Sequence, residues 1–302
     1  MTDPAVDAFE SHRHHLFAVA YRMLGSVGEA EDAVQETWIR WAAADQDSIN
    51  RPRGWMTTVV GRLCVDRLRS AQKRRETYVG PWLPEPLVQP DDDPAEHVAL
   101  ADSLSMAFLE LLERLDPVER AAFLLREVFA EDYADVARVI DRSETACRQI
   151  VHRAKQRLGP DRPVRFDPGP DEERRLVDSF FAAAFAGDLD ALHEVLCDDV
   201  VAWSDGGAAR HAARRPVVGV HRVGLFAQGI TRRALGGGGD VTLRSLRVNG
   251  DPGMAVFVDG TLDLVVAFEL APEGVRTIRS VLNPEKLAHV APTVSGWDRH
   301  RE

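Results

Sequence analysis

Two short stretches of this 302-residue chain concentrate the side chains that bind phosphates and base edges. The first, residues 51–75, holds eight basic residues (Arg51, Arg53, Arg62, Arg67, Arg69, Lys73, Arg74 and Arg75) against Asp66, a net charge of +7. The second, residues 142–158, holds five basic residues against Glu144, a net +4. Around the first island sit Trp38, Trp41 and Trp55, and the Asn50–Gly54 loop carries Arg51 and Arg53. Aromatics beside a basic track suit single-stranded or locally opened DNA, where an unstacked base needs a stacking partner. Trp38 and Trp41 also fit the apolar stripe of a helix and read first as core, whereas Trp55 is less easily absorbed. On the second island, helical spacing leaves Thr145, Arg148, Gln149, His152, Arg153 and Lys155 facing outward, a donor-rich set for a major groove. The plain alternative for this segment is an amphipathic helix with a solvated basic face.

The chain as a whole is acidic, with a net charge of −11. Residues 1–50 are net −6, residues 76–141 net −12 and residues 159–302 net −4, so the two basic islands are set in acidic sequence. A phosphate backbone responds to the field within about 10 Å, not to the molecular total. The acidic balance therefore does not exclude nucleic acid. Cys64, Cys147 and Cys197 lie far apart without CxxC spacing, which argues against a disulfide framework or a structural zinc site. No uninterrupted apolar run approaches the roughly 18 residues of a membrane span, and the N-terminus lacks a basic region followed by an apolar one. A cytoplasmic location without membrane association is the expectation, and the length calls for two or three domains.

Periodicity predicts helices over residues 9–24, 28–44 and 55–73, the second with Asp32, Gln35 and Glu36 outward. Residues 76–94 hold five prolines and a glycine, which reads as an extended linker and a domain boundary. Helical sequence resumes at about residue 95, breaks at Asp116-Pro117, and ends in two short helices joined at Asp141-Arg142. Ser143 caps the second of these and Gly159-Pro160 closes it. After a second linker, 161–170, the texture changes to two helices, a third helix at 219–233 and a run of five strands, which implies an α+β domain.

The blocks DAVQETWIRW, RPRGWMTTVVGRLCVDRLR and LERLDPVERAAFLLREVF, followed by a helix-turn-helix, resemble bacterial sigma factors of the extracytoplasmic-function group, over residues 9–158. The resemblance implies a multidomain protein: two all-α sigma domains, region 2 at 1–75 and region 4 at 95–160, ahead of the α+β domain at 171–290 and a tail. Its implied partners are core RNA polymerase and promoter DNA, with no cofactor, no metal and no catalytic residue. Asp32, Gln35 and Glu36 are implied to dock the polymerase clamp. Asn50, Arg51, Arg53, Trp55 and the following helix, with Arg62, Arg67, Arg69 and Lys73, are implied to recognise and open the −10 element. Ser143, Thr145, Arg148, Gln149, His152, Arg153 and Lys155 are the implied −35 contacts.

Residues 171–290 resemble SnoaL-like domains, a curved sheet with helices that forms a cone. Three blocks mark the sigma J type, which carries such a domain: Trp82, Leu83, Pro84, Glu85 and Pro86; Asp205, Gly206 and Gly207; and Asn283, Pro284, Glu285, Lys286 and Leu287. The resemblance implies regulation in cis through these residues, without a separate anti-sigma factor, and leaves room for an unidentified small ligand in the cone. Two other readings stay open on the residues alone. One is a ligand-responsive one-component regulator. The other is a cyclase-type enzyme using Asp205 beside Trp203 as acid/base, against which Asp-Gly-Gly is also good turn chemistry.

Overall fold

In the computed structural model, residues 4–75, 77–91, 104–159, 166, 168–236 and 238–297 are described. They form two units: residues 1–77 with 109–162, and residues 78–108 with 163–302. The second is discontinuous, because the stretch read as a linker belongs to it.

The first unit is helical. α1 (Pro4–Leu24), α2 (Val27–Ala42) and α3 (Pro52–Arg75) pack on one another through Leu16, Val19, Ala20, Ala30, Ala33, Val34, Val60 and Cys64. α2 starts where Ser26 accepts from the Glu29 amide at 3.2 Å, and α3 starts at Pro52, since a proline at the first helical position removes an amide that has no partner there. Arg53 and Gly54 are thus helical, not loop. In the second unit lie a short strand, β1 (Val88–Pro90), and the start of α4 (Met106–Leu112), within which the boundary between the units falls.

Back in the first unit, α5 (Pro117–Phe123) opens with a capping box between Asp116 and Glu119 and runs into a π turn at Leu124–Val128. α6 (Tyr133–Ile140) and α7 (Glu144–Leu158) follow. Asp141 between them takes the left-handed conformation, φ 54°, which aspartate tolerates.

The second unit continues with α8 (Pro170–Ala186), α9 (Leu189–Val195), β2 (Leu196–Asp205), β3 (Val217–Val218), α10 (Val220–Gly236), β4 (Val241–Val248), β5 (Asp251–Val258), β6 (Thr261–Ala271) and β7 (Gly274–Val281). Two short helices, α11 (Pro284–Leu287) and α12 (Val290–Trp297), end it. The strands form one sheet in the order β1-β4-β5-β6-β7-β2-β3, antiparallel except for β2 beside β7. The middle strands are buried on both faces, and their side chains alternate between two cores. Met254, Val256, Leu264, Val266 and Phe268 meet the helices α8, α9 and α10. Ala255, Phe257, Val265 and Ala267 meet Leu83, Met106, Leu287, Val290 and Val294 on the opposite face. That double burial explains why the strands read as apolar runs. The α+β layout agrees with the expectation; the sequence reading missed β1, β3 and α12.

Leu83 is fully buried in the second core. Leu83→Ala is expected to cost about 2–5 kcal/mol, as for other buried leucines. Urea titration of the full chain checks this, and a loss within error of zero would mean that residues 78–91 are not part of this fold.

Candidate functional site

Three clusters carry the residues singled out by sequence. The first is buried. Asp205 ends β2, paired with Val281 of the parallel strand β7, so that the turn after β2 and the chain after β7 leave the sheet side by side. Its side chain has no exposure, and four donors surround it. Tyr78 Oη donates to Oδ1 at 2.5 Å and the Gly207 amide to the same oxygen at 3.1 Å. The Leu83 amide donates to Oδ2 at 2.8 Å and Lys286 Nζ to that oxygen at 2.7 Å. Lys286 also donates to the Leu83 carbonyl, and its ammonium lies 4.2 Å from the Trp82 ring centroid and 5.1 Å from that of Tyr78. Asn283 Nδ2 donates to Tyr78 Oη at 2.9 Å, and Asn283 caps α11 through the Glu285 amide. The three blocks marked by sequence thus converge on one carboxylate. Both glycines are required: a Cβ at Gly206 would sit 2.6 Å from the Arg210 carbonyl, and Gly207 has φ +56° with Asn283 where its Cβ would stand.

A buried charge needs a partner, and Asp205 and Lys286 supply one another. Burial and the adjacent Asp205 push the Tyr78 hydroxyl upward, so it stays a donor at neutral pH. Both oxygens are thus engaged and sealed from solvent, which makes the Asp205 carboxylate an anchor for the chain around it. Among the described residues, no group of three or more His, Cys, Asp or Glu is placed to hold a metal.

Sequence reasoning missed two members of this cluster's surroundings. Tyr78 lies outside the quoted blocks. Asn249 (φ 54°) and Gly250 (φ 83°) make the β4–β5 hairpin turn, and the Asn249 side chain accepts from the Leu87 amide at 3.0 Å and donates to the Leu104 carbonyl at 2.9 Å. The Asn-Gly pair between two apolar runs was the available signal.

The second cluster is the outer face of α7. Thr145, Arg148, Gln149, His152, Arg153 and Lys155 are all exposed, while Cys147, Ile150, Val151, Ala154 and Leu158 are buried. Ser143 accepts from the Ala146 amide at 3.2 Å, a helix cap. Arg148 and Arg126 both lie over the Tyr133 ring, 4.8 and 4.7 Å from its centroid, and Arg148 also reaches Glu144 at 3.1 Å. Lys155 pairs with Glu127 at 2.6 Å.

The third cluster is α2 with α3. Asp32 and Gln35 are exposed and Glu36 half-buried, beside the exposed Ile39. Arg67 turns onto this helix instead of joining the other arginines: it donates to the Glu29 carbonyl at 2.8 Å and lies 3.6 Å from Glu36. Arg67 thus braces α2 against α3. Trp41 is core, donating to the Ala5 carbonyl at 3.0 Å, and Trp55 is half-buried with its ring centroid 5.6 Å from that of Trp41. Asn50, Arg51, Arg53, Arg62 and Arg69 stand near or on the surface; the side chain of Lys73 lies outside the described residues. Nearby, His15 is enclosed, 3.1 Å from the Thr57 hydroxyl, and burial together with the Arg53 charge lowers its pKa to about 4.

Residues 8–74 match the family model of Sigma-70 region 2, and residues 105–158 that of Sigma-70, region 4. The ECF RNA polymerase sigma factor SigJ of Mycobacterium tuberculosis is 43% identical over 231 residues, 76% of this chain and 73% of that protein. The probable ECF RNA polymerase sigma factor SigI of the same species is 33% identical over 299 residues, 97% of this chain and 98% of that protein. The crystal structure of the M. tuberculosis sigma factor SigJ superposes with a TM-score of 0.72 at 36% identity, covering 94% of this chain and 98% of that one. No helix among the described residues is long and apolar enough to cross a membrane.

Removing Lys286 should strand the Asp205 charge. Lys286→Ala is expected to cost about 3–5 kcal/mol, and Asp205→Asn placed on top to recover part of the loss, because the amide needs no counter-charge. A double-mutant cycle by urea unfolding measures this, and zero coupling would remove the ion pair as the anchor. The folded His15 has the lowered pKa, so from pH 6.5 down towards 4 the unfolded chain takes a proton there that the folded chain refuses. The stability of the first unit should fall over that window. His15→Gln should flatten the slope in pH-dependent urea midpoints.

Proposed function

Because the chain belongs to the extracytoplasmic-function RNA polymerase sigma factors, we propose that residues 1–75 dock core polymerase and open the −10 element while α6 and α7 read the −35 element. As a sigma factor it binds core RNA polymerase and promoter DNA and directs promoter-specific initiation. The row Thr145, Arg148, Gln149, His152, Arg153 and Lys155, exposed along one face of the second helix of a helix-turn-helix, is the observation that carries the residue-level reading. Asp32, Gln35 and Glu36, with the exposed Ile39 beside them, are the proposed contact to the basic clamp. Asn50, Arg51, Arg53, Trp55, Arg62, Arg69 and Lys73 are the proposed −10 set. A one-component regulator would need the helix-turn-helix but not this acidic helix followed by a basic one.

The C-terminal domain acts, in this reading, by gripping the segment that joins the two sigma regions. Tyr78, the Leu83 amide and the Leu83 carbonyl are bound to Asp205 and Lys286, His289 lies 2.9 Å from the Pro86 carbonyl, and Val88–Pro90 pairs with β4. A regulator built into the chain removes the need for a separate anti-sigma factor.

Two measurements test this reading. Arg148→Ala and Arg153→Ala should each weaken promoter binding of the holoenzyme by about 1–3 kcal/mol, with relaxed preference at one −35 base pair if the contact is to a base edge. Unchanged affinity for both would refute the −35 assignment. Lys286→Ala combined with Leu287→Ala should change promoter-specific transcription about 5- to 150-fold, the usual size of a coupling. An unchanged rate would refute regulation through the grip.

A further inference from the structure

Two guanidinium groups share the ring of Tyr133. Arg126 Cζ lies 4.7 Å and Arg148 Cζ 4.8 Å from its centroid. The three residues belong to different elements: the π turn Leu124–Val128, the first position of α6 and the second turn of α7. The backbone between the first two brings them together. Ala130 takes the left-handed region, φ 54°, and the Glu131 amide donates back to the Leu125 carbonyl at 2.9 Å, so the chain curls back onto the π turn. Alanine has no preference of its own for that conformation, and its surroundings hold it there. Arg126 is fixed as well, donating from Nη1 to the Glu131 carbonyl at 3.0 Å.

Arg148 belongs to the exposed row of α7, yet it is the member of that row with a ring beneath it and a carboxylate beside it. Its Nη2 donates to Glu144 Oε2 at 3.1 Å, across an i,i+4 spacing with the acid nearer the helix start, the favourable order. Ring and carboxylate fix the plane of the guanidinium and one of its corners, while the side chain stays 55% exposed. Arg153, in the same row, has no ion pair or ring contact with any described residue. The Tyr133 hydroxyl makes no hydrogen bond to a described residue either, so its ring is the part in use.

We propose that Tyr133 is a specificity-determining positioning residue: its ring holds Arg148 flat, so that a −35 base edge meets a guanidinium already in its bound orientation. The proposal rests on the reading of Arg148 as a −35 contact. A bidentate contact to a base edge, for which guanine is the usual partner of arginine, demands the plane of the fork as well as its distance. A phosphate contact positions the protein without carrying sequence information. Tyr133 therefore acts on base preference, and the unsupported Arg153 on affinity alone. An arginine held on a ring has lost its rotamer freedom during folding and not on binding, a saving of about two- to tenfold in affinity.

Holoenzyme carrying Tyr133→Leu should bind promoter about two- to tenfold more weakly, and its preference at one −35 base pair should shrink by the same factor across a set of −35 substitutions. The salt dependence should not change, because no phosphate contact is removed. Tyr133→Phe, which keeps the ring, should retain both affinity and preference. With Arg148→Ala already present, Tyr133→Leu should have no further effect, whereas Arg153→Ala should add to it. Thermal melts establish that the variants fold, and Tyr133→Met supplies a second replacement of similar bulk. An intact base preference in Tyr133→Leu and Tyr133→Met would overturn the proposal. So would an equal loss in Tyr133→Phe, or a full effect of Tyr133→Leu on top of Arg148→Ala. Arg148→Ala alone separates the two readings. If it weakens binding while Tyr133→Leu changes nothing, the positioning role is overturned and the −35 reading survives. If Arg148→Ala changes nothing, both are overturned.

Discussion

A carboxylate with no access to water must be surrounded by donors, and in this protein the donors around Asp205 come from stretches of chain far apart in sequence. Tyr78 and Leu83 precede it by more than 120 residues, and Lys286 follows it by 81. None of these groups can leave without stranding the charge or the others' polar atoms, so the turn after β2, the segment 78–91 and α11 fold as one object. That single requirement makes the proline-rich stretch part of a domain. It gives the sheet an additional edge strand at β1 and fills its second face with Leu83, Met106 and α12.

Electrostatics is organised by neighbourhood. The −11 of the whole chain says little, because the acids are distributed to do local work. On α2 they face outward, around Asp205 a single one gathers four donors, and at Glu131 and Asp135 they answer the arginines of α3 directly. The basic islands seen in the sequence are therefore less free in the folded chain than their net +7 and +4 suggest. Arg67 braces a helix, Arg51, Arg53 and Arg62 are paired, and the outward row of α7 keeps the most accessible donors.

Much of the fold was legible. Helical periodicity, the Ser143 cap, the tolerance of Asp141 for a left-handed turn and the five long strands all follow from rules that act over a few residues. The blocks Trp82–Pro86, Asp205–Gly207 and Asn283–Leu287 were visible as a family pattern, while their convergence and its chemistry were not, since no spacing rule connects residue 83 to residue 286. β1 escaped because prolines mask a three-residue edge strand, and the role of Asn249 escaped because an Asn-Gly turn signals a hairpin but not the distant backbone groups of Leu87 and Leu104 that its side chain binds. The pairing of Arg53 with Glu131 was beyond reach for the same reason: charges 78 positions apart look like separate solvated faces until the chain is folded.

The distance along the chain between Leu83 and Lys286, 203 residues, also sets an order of events during synthesis. Domains fold as they emerge from the ribosome, N-terminal first. Both sigma regions are complete before the lysine that fastens the segment between them has been translated. Each newly made molecule therefore passes through a period in which both sigma regions exist and the Asp205–Lys286 pair does not.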